Sequence, residues 1–116
     1  MSLQRGDVIL IQFPFTDLTS FKVRPALVLS SDQYNSQGED VIVCLITSNL
    51  SRKGVPWIPV TSDHPDYARA GFKTASAIIP DKIHALHRIL IKRKLGSLGA
   101  QTLNVIQDRL REIIFN

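Results

Sequence analysis

The sequence predicts a mainly β domain, a small barrel or half-open sheet with one helix packed on it. Short apolar runs rich in β-branched residues come first, which is typical of strands. The C-terminal segment instead repeats apolar residues at helical spacing. With 116 residues, of which 44% are hydrophobic, the chain has the size of one domain and enough apolar residues for a core. We therefore expect residues 1–116 to form a single domain.

Strands are predicted at the short apolar runs that polar segments separate. The predicted strands are 8–13, 26–29, 41–46, 57–61, 75–79, 82–86 and 87–94. Pro56 and Pro59 favour an edge position for 57–61, because proline cannot donate a hydrogen bond to a neighbouring strand. Loops are expected at 14–23, 33–40, 49–55 and 62–72, with a break at 80–81 and a turn at 95–96.

The final segment is predicted to be an amphipathic helix. Its apolar stripe consists of Leu103, Ile106, Leu110, Ile113 and Ile114, and its polar side of Gln107, Asp108, Arg111 and Glu112. Gly99 or Ser97 is the candidate N-cap residue. We expect the stripe to pack on the sheet.

Composition limits the setting in which the protein works. The formal net charge of +4 and the pI near 9.6 favour a polyanionic partner without identifying one. No apolar run approaches the roughly 20 residues that span a bilayer, and no export signal opens the chain. The lone Cys44 lies in an apolar run, which predicts a buried core residue rather than a nucleophile. Because a single cysteine suits a reducing compartment, we expect a cytoplasmic protein with no membrane partner.

Several kinds of catalytic site lack the residues that they need. His64, His84 and His87 are the only histidines, and no cysteine or carboxylate cluster completes a metal-coordination shell beside them. No Gly-x-Ser-x-Gly motif marks a serine nucleophile, and no glycine-rich loop marks a nucleotide site. We therefore expect a protein that works without a metal or another cofactor.

Arg24 and Thr47 are the residues whose placement points to chemistry. Arg24 precedes the second predicted strand, and Thr47 ends the third. If these strands are antiparallel neighbours, the two side chains emerge at the same edge of the sheet. A guanidinium can hold a phosphate through two hydrogen bonds, and a threonine hydroxyl can donate to a further phosphate oxygen. The alternatives are a surface salt bridge of Arg24 with Asp17 or Asp7, and an ordinary strand end at Thr47.

Aromatic and basic loop residues are candidates for holding a polynucleotide. Phe15 and Phe21 can stack on unpaired bases, or they can close the end of a barrel as core residues. Lys22, Arg52 and Lys53 can contact phosphates, as can the basic run 88–94. The alternatives are a solvated turn at Arg52 and Lys53 and a solvated face for the basic run.

Longer motifs in the chain resemble the MazF/PemK family of toxin endoribonucleases. The matching segments are 5–17 (RGDVILIQFPFTD), 22–30 (KVRPALVLS), 46–48 (ITS), 76–83 and 95–98 (LGSL), followed by the C-terminal helix. These segments stand in the order of the family, and the first motif is the most specific. The resemblance implies an SH3-like barrel with a C-terminal helix, assembled as a homodimer.

The resemblance also implies an activity. Members of the family are expected to cleave single-stranded RNA, including mRNA, at short sequences without a metal. Attack by the 2′-hydroxyl leaves a 2′,3′-cyclic phosphate and a 5′-hydroxyl. The chain would then be the toxin of a type II toxin–antitoxin pair that inhibits translation and growth. Its implied protein partner is a cognate antitoxin that covers the RNA groove of the dimer.

Matching positions imply roles for individual residues. Arg24 corresponds to the catalytic arginine of the family and Thr47 to its catalytic threonine. The implied RNA-binding residues are Phe15, Thr16, Lys22, Ser48, Asp81 and Lys82. Lys82 stands where relatives often carry an amide, and His84 where an arginine is common. Because lysine only donates hydrogen bonds whereas an amide also accepts them, the recognised RNA sequence does not transfer from relatives.

Two other functions fit the same barrel. One is a non-catalytic toxin that binds a protein target such as DNA gyrase, and the other is an RNA-binding module without cleavage. Neither requires Arg24 and Thr47 together, so their pairing favours the nuclease. Electrophoresis of RNA that has been incubated with the protein separates the nuclease from both alternatives.

Overall fold

The computed structural model describes residues 2–14, 21–51 and 56–116, which contain one antiparallel sheet and two helices. The strands are β1 (Asp7–Pro14), β2 (Phe21–Val28), β3 (Asp40–Thr47), β4 (Ile58–Val60), β5 (Ser76–His87) and β6 (Ile91–Ser97). The helices are α1 (Asp32–Gln37) and α2 (Ala100–Phe115), and a 3₁₀ turn spans Arg88–Leu90. The strand order in the sheet is β4-β5-β3-β2-β1-β6, so β4 is an edge strand as predicted. The mainly β fold with a C-terminal helix is confirmed.

β2 begins well before the apolar run that predicts it. β1 and β2 stay in register as far as Pro14 and Phe21. Exposed polar residues such as Lys22 therefore belong to a paired strand rather than to a loop. The expectation that Arg24 precedes the strand is wrong, because Arg24 pairs with Ile11 inside β2.

β5 is one continuous strand, whereas the sequence predicts a break at 80–81. β3 pairs Leu45 with Ile79, but its preceding residue Cys44 pairs with Ile83. The residues of β5 that lie between these two pairs form a bulge. A proline is tolerated there because a bulge needs no hydrogen bond from its nitrogen. Pro80 and Asp81 therefore distort β5 without ending it.

Two further connections differ from the sequence prediction. The loop predicted at 33–40 contains most of α1, which Ser31 caps by accepting a hydrogen bond from the backbone N–H of Tyr34 (3.1 Å). The turn predicted at 95–96 lies inside β6, and the chain leaves β5 for β6 at the 3₁₀ turn instead.

The core has two parts, because alternate residues of the central strands face opposite sides of the sheet. The first part consists of Leu3, Ile9, Ile11, Ala26, Val28, Val41 and Val43. The second part consists of Val8, Leu27, Cys44, Ile46, Ile58, Val60, Ala70, Ile78, Leu98 and Ile106. Burial raises the pKa of the Cys44 thiol to about 12, so this cysteine carries no reactive thiolate near neutral pH. The prediction of Cys44 as a core residue is confirmed.

α2 is docked on the sheet in its N-terminal half and exposed at its C-terminal end. Ile106 is buried, and Leu103 and Leu110 pack half-buried against the second part of the core. Ile113 and Ile114 are 42% and 51% exposed. The prediction that the whole apolar stripe packs on the sheet is therefore wrong for its last turn.

A distant carboxylate caps α2. Gly99 is the N-cap residue, and it has no side chain with which to accept a hydrogen bond. The buried Asp66 accepts hydrogen bonds from the backbone N–H of Gly99 (2.9 Å) and from the hydroxyl of Thr102 (2.6 Å). The bond from Thr102 is the main reason why the pKa of Asp66 lies below its usual range. A residue of the segment 62–72 thus stabilises the start of the helix.

Candidate functional site

A cleft of about 730 Å³ opens where β1, β2, β3, β5 and β6 meet the segment 71–74. Its lining residues are Leu10, Phe13, Arg24, Pro25, Leu45, Ile46, Thr47, Ser48, Asn49, Gly71, Phe72, Lys73, Thr74, Ser76, Ile79, Lys82, Arg93 and Leu95. Four of these residues are cationic, and none of the described lining residues is acidic. Hydroxyl, amide and apolar side chains complete the surface. The cleft therefore suits an anionic ligand that also has apolar parts.

Arg24 and Thr47 come together at this cleft. β2 and β3 are antiparallel neighbours that pair Ala26 with Leu45, and continuing this register places Arg24 opposite Thr47. Both residues line the cleft. The predicted juxtaposition of the two strands is thus confirmed, although Arg24 approaches the cleft from within a strand rather than from a strand end.

The alternative to a ligand-binding role for Arg24 is a surface salt bridge with Asp7 or Asp17, and Asp7 already has another partner. Asp7 is buried and forms an ion pair with Lys94 (3.1 Å). Asp17, the other candidate, lies outside the described residues. Within 2–14, 21–51 and 56–116, no carboxylate lies within ion-pairing distance of Arg24. Its exposed guanidinium can therefore receive an anion from solution.

The turn after β3 orients the hydroxyl of Thr47. This hydroxyl accepts a hydrogen bond from the backbone N–H of Asn49 (3.0 Å), which leaves its own hydrogen for a ligand in the cleft. The Asn49 side chain in turn accepts hydrogen bonds from the backbone N–H (3.2 Å) and the hydroxyl (2.7 Å) of Ser51. Ser48 is exposed between them and also lines the cleft. A hydroxyl donor and a guanidinium facing one space can together stabilise a negatively charged oxygen.

The other predicted RNA-binding residues divide into three groups. Lys82, in the bulge of β5, lines the cleft, whereas its neighbour Asp81 is exposed and is not among the lining residues. Lys22 is exposed on β2 opposite Phe13, also outside the lining. The positions that lie outside the described residues are Phe15, Thr16, Arg52 and Lys53, together with the side chain of Phe21. Of the predicted set, the cleft thus unites Arg24, Thr47, Ser48 and Lys82.

Two further cations line the cleft: Lys73, which sequence reasoning misses, and Arg93, which it names only as part of a basic run. Arg93 belongs to the basic run 88–94, which has the composition of a solvated face. The sequence does not single out Arg93 from Lys92 and Lys94, because the pairing of β6 with β1 shifts register between Ile91 and Arg93 and regular alternation fails there. Lys73 follows the predicted loop 62–72, and no sequence signal singles it out either.

The histidines take part in local contacts. His84 packs edge-on against Phe13, with ring centroids 4.8 Å apart. Nδ1 of His64 accepts a hydrogen bond from the backbone N–H of Asp66 (3.0 Å), and Nε2 of His87 lies 3.1 Å from a carboxylate oxygen of Glu39. In the part of the chain that the structure describes, no group of three or more histidine, cysteine or carboxylate side chains could hold a metal ion. None of the described helices is both long and apolar enough to cross a membrane.

Comparison with known proteins gives one family and several related structures. Residues 4–114 match the family described as "PemK-like, MazF-like toxin of type II toxin-antitoxin system". No curated protein matches the chain. At identities below 25%, the structural matches described next establish the fold.

Three solved structures illustrate the similarity. A MazE–MazF complex from Deinococcus radiodurans superposes with a TM-score of 0.75 at 23% identity, covering 98% of this chain and 97% of that chain. An endoribonuclease from Mycobacterial species gives 0.72 at 21% identity, covering 97% and 90%. The Mycobacterium tuberculosis toxin MazF-mt6 gives 0.71 at 20% identity, covering 91% and 93%.

Proposed function

Because the chain belongs to the PemK-like, MazF-like family of toxins of type II toxin–antitoxin systems, we propose that it is a metal-independent endoribonuclease that cleaves single-stranded RNA. The family match agrees with the resemblance seen in the sequence motifs. Relatives of the same fold include proteins described as endoribonucleases, one of them in complex with its cognate antitoxin. In the cell, cleavage of mRNA would inhibit translation and growth.

The observation that carries the proposal is that Arg24 and Thr47 both line one electropositive cleft, just beyond the paired residues Ala26 and Leu45 of β2 and β3. A guanidinium is planar and always charged, so it can bind two oxygens of one phosphate. The hydroxyl of Thr47, held by its bond from Asn49, can donate to the same group. A gyrase-binding toxin would need neither group to face a cleft of this charge.

RNA supplies the nucleophile for the proposed reaction. The 2′-oxygen attacks the adjacent phosphorus and loses its proton, while the bond from phosphorus to the 5′-oxygen of the next nucleotide breaks. The 5′-oxygen takes up a proton, so the products are a 2′,3′-cyclic phosphate and a 5′-hydroxyl. Negative charge on the phosphoryl oxygens increases in the transition state, where preorganised donors contribute most.

Each residue of the site has a distinct proposed role. Arg24 stabilises the charge of the pentavalent transition state, and Thr47 orients the phosphate for in-line attack. Ser48 and Lys82 bind RNA within the cleft. For Lys22 and Asp81, which do not line the cleft, and for Phe15 and Thr16, which lie outside the described residues, we propose further contacts with RNA.

The experiment is cleavage of a mixed set of single-stranded RNAs in the presence of EDTA. Wild-type protein is expected to produce fragments with 5′-hydroxyl ends, which a polynucleotide kinase labels without prior phosphatase treatment. Arg24→Ala and Thr47→Ala are expected to lose the activity, while Arg109→Ala, an exposed residue of α2, keeps it. Intact RNA with every substrate contradicts the nuclease, and an active Arg24→Ala protein contradicts the catalytic assignment.

We also propose that the protein is a homodimer that a cognate antitoxin inhibits. The exposed apolar side chains at the end of α2, Ile113, Ile114 and Phe115, support a second copy of this chain as the partner at that end, because such patches are uncommon on monomers. Light scattering at micromolar concentration is expected to give twice the monomer mass for the wild type. A Phe115→Ser/Ile114→Ser variant is expected to shift toward the monomer, and a monomeric wild type contradicts the proposal.

A further inference from the structure

We propose that Lys73 and Arg93 form a second phosphate-binding position in the cleft, which holds a nucleotide next to the scissile one. This inference rests on the proposed ribonuclease function and extends it. Arg24 and Thr47 act on the reacting phosphate, whereas Lys73 and Arg93 position the RNA strand.

The two cations enter the cleft from segments that are locked together through their backbones. Gly71 has a positive φ of 80°, and a Cβ atom there would overlap the carbonyl oxygen of Leu95. A Cβ atom at Gly96 would overlap the carbonyl oxygen of Arg69. Glycine is required at both contacts, so the segments before and within β6 approach as closely as backbones can. Lys73 follows Gly71 by two residues and Arg93 precedes Leu95 by two, so both cations enter the cleft from either side of this junction.

Neither cation is neutralised by the described part of the protein. Lys73 and Arg93 are exposed, and no described carboxylate lies within ion-pairing distance of either. Lys94, the next residue of β6, differs because it forms an ion pair with the buried Asp7 (3.1 Å). Two like charges in one cleft disfavour each other, and a bound anion reduces that cost. The pair therefore favours an anionic group.

The backbone of Arg93 is separated from β2 by one intervening strand. Arg93 pairs with Leu10 of β1, and Leu10 pairs with Pro25 of β2. Since neighbouring strands lie about 4.8 Å apart, the backbones of Arg93 and of β2 are separated by roughly 10 Å. A strand bound at Arg24 can therefore present a different phosphate to β6. Half-buried Phe72 lines the same cleft and offers an aromatic surface for a base.

Binding without cleavage tests this position. The variant Lys73→Ala/Arg93→Ala is made in an Arg24→Ala background, and fluorescence anisotropy measures its affinity for a single-stranded RNA. The RNA is one that the wild type cleaves or, if none is cleaved, a mixed-sequence RNA of equal length. We expect roughly tenfold weaker binding, as for a lost charge-assisted contact. The salt dependence should fall by about 0.7 in log–log slope, as for one lost phosphate contact.

A charge-matched control and altered RNA backbones make the test specific. Lys92→Ala/Arg109→Ala removes two exposed charges outside the cleft lining and should change the affinity less than twofold. Neutral methylphosphonate linkages are introduced into the RNA one at a time. One linkage besides the scissile one should weaken binding to the parent protein but not to the Lys73→Ala/Arg93→Ala variant.

The outcomes separate this inference from the nuclease proposal. In the Arg24-containing enzyme, the double variant should raise KM and leave kcat unchanged. Suppose that the wild type cleaves RNA but the double variant has an unchanged KM, or that each methylphosphonate linkage weakens binding to the double variant as much as binding to the parent. The second phosphate position is then wrong and the nuclease stands. If one methylphosphonate linkage weakens binding to the parent protein only, but the wild type cleaves no RNA, the second phosphate position stands and the nuclease is wrong. Absence of both binding and cleavage overturns both.

Discussion

At the junction between α2 and the sheet, a buried carboxylate has hydrogen-bond donors from the fold, whereas the cations of the cleft are exposed. Asp66 is buried and bonded to the N-terminus of α2, and Asp7 is buried against Lys94. The four cations of the cleft have no described carboxylate within ion-pairing distance. Buried carboxylates whose oxygens have partners belong to the fold, while exposed charges of one sign attract a ligand. Whether a charged residue serves the fold or binds a ligand therefore depends on whether the fold supplies it with a partner.

The largest expected change of stability lies at the α2 junction. Ile106→Ala removes a buried side chain of the second part of the core, which should cost about 2–5 kcal/mol of unfolding free energy. Leu110→Ala should fall toward the lower end of that range, because Leu110 is only half-buried. Urea unfolding measures both. A loss below about 1 kcal/mol for Ile106→Ala would mean that α2 is not docked as described.

Arg24→Ala should have the opposite profile, with a large effect on activity and a small one on stability. Loss of one preorganised donor to the transition state typically lowers kcat about 10²–10³-fold, or about 2.7–4 kcal/mol. The unfolding free energy should change by less than about 0.5 kcal/mol, because the side chain is exposed. Both are measured on one preparation, with Arg109→Ala as the control. A loss of stability that matches the loss of activity would assign Arg24 to the fold.

Asp66→Asn should weaken the α2 junction by a smaller amount, about 0.5–2 kcal/mol, the usual worth of a helix cap. The pKa of Asp66 is lowered in the folded state, so its carboxylate stabilises the protein above the unfolded pKa of about 3.9. That contribution is lost as the pH falls through the lower, folded pKa. Urea unfolding over a series of acidic pH values should therefore show wild type and variant converging. A constant difference between them, with exposed Asp108→Asn as the control, contradicts the assignment.

Lys92→Ala should give the smallest effect. Lys92 is exposed on β6 beside Arg93 but does not line the cleft. We expect a change of less than about 0.5 kcal/mol in stability and less than twofold in kcat/KM. A loss of kcat/KM as large as that of Arg93→Ala would mean that the basic surface acts as a whole and not through the cleft.

The sequence predicts both strands from contiguous apolar runs, but the meeting of Arg24 and Thr47 also requires the strands to be antiparallel neighbours, which the structure confirms. Other features escape it for physical reasons. The cap by Asp66 joins residues 33 and 36 positions apart, which no local pattern reveals. The backbone contact of Gly71 with Leu95, on either side of which Lys73 and Arg93 enter the cleft, exists only after the sheet has folded.

The predicted helix stripe shows the same limit. Periodicity identifies α2 and its apolar face, and Ile106 is buried as that pattern requires. Periodicity does not reveal where the sheet ends beneath the helix, so Ile113 and Ile114 remain exposed in the single chain. The fold class and the residues of long apolar runs are thus readable from the sequence, whereas the extent of each contact is not.

The most direct measurement of the central claim compares two RNAs that differ in one atom. One is a cleaved single-stranded RNA, and the other carries a 2′-deoxy nucleotide immediately 5′ of the cleaved linkage. In EDTA, the wild type should cleave the first and leave the second intact at that linkage, while the second still competes for binding. Cleavage of the deoxy-substituted linkage at an undiminished rate would contradict attack by the 2′-hydroxyl, and with it the proposed role of the Arg24–Thr47 cleft.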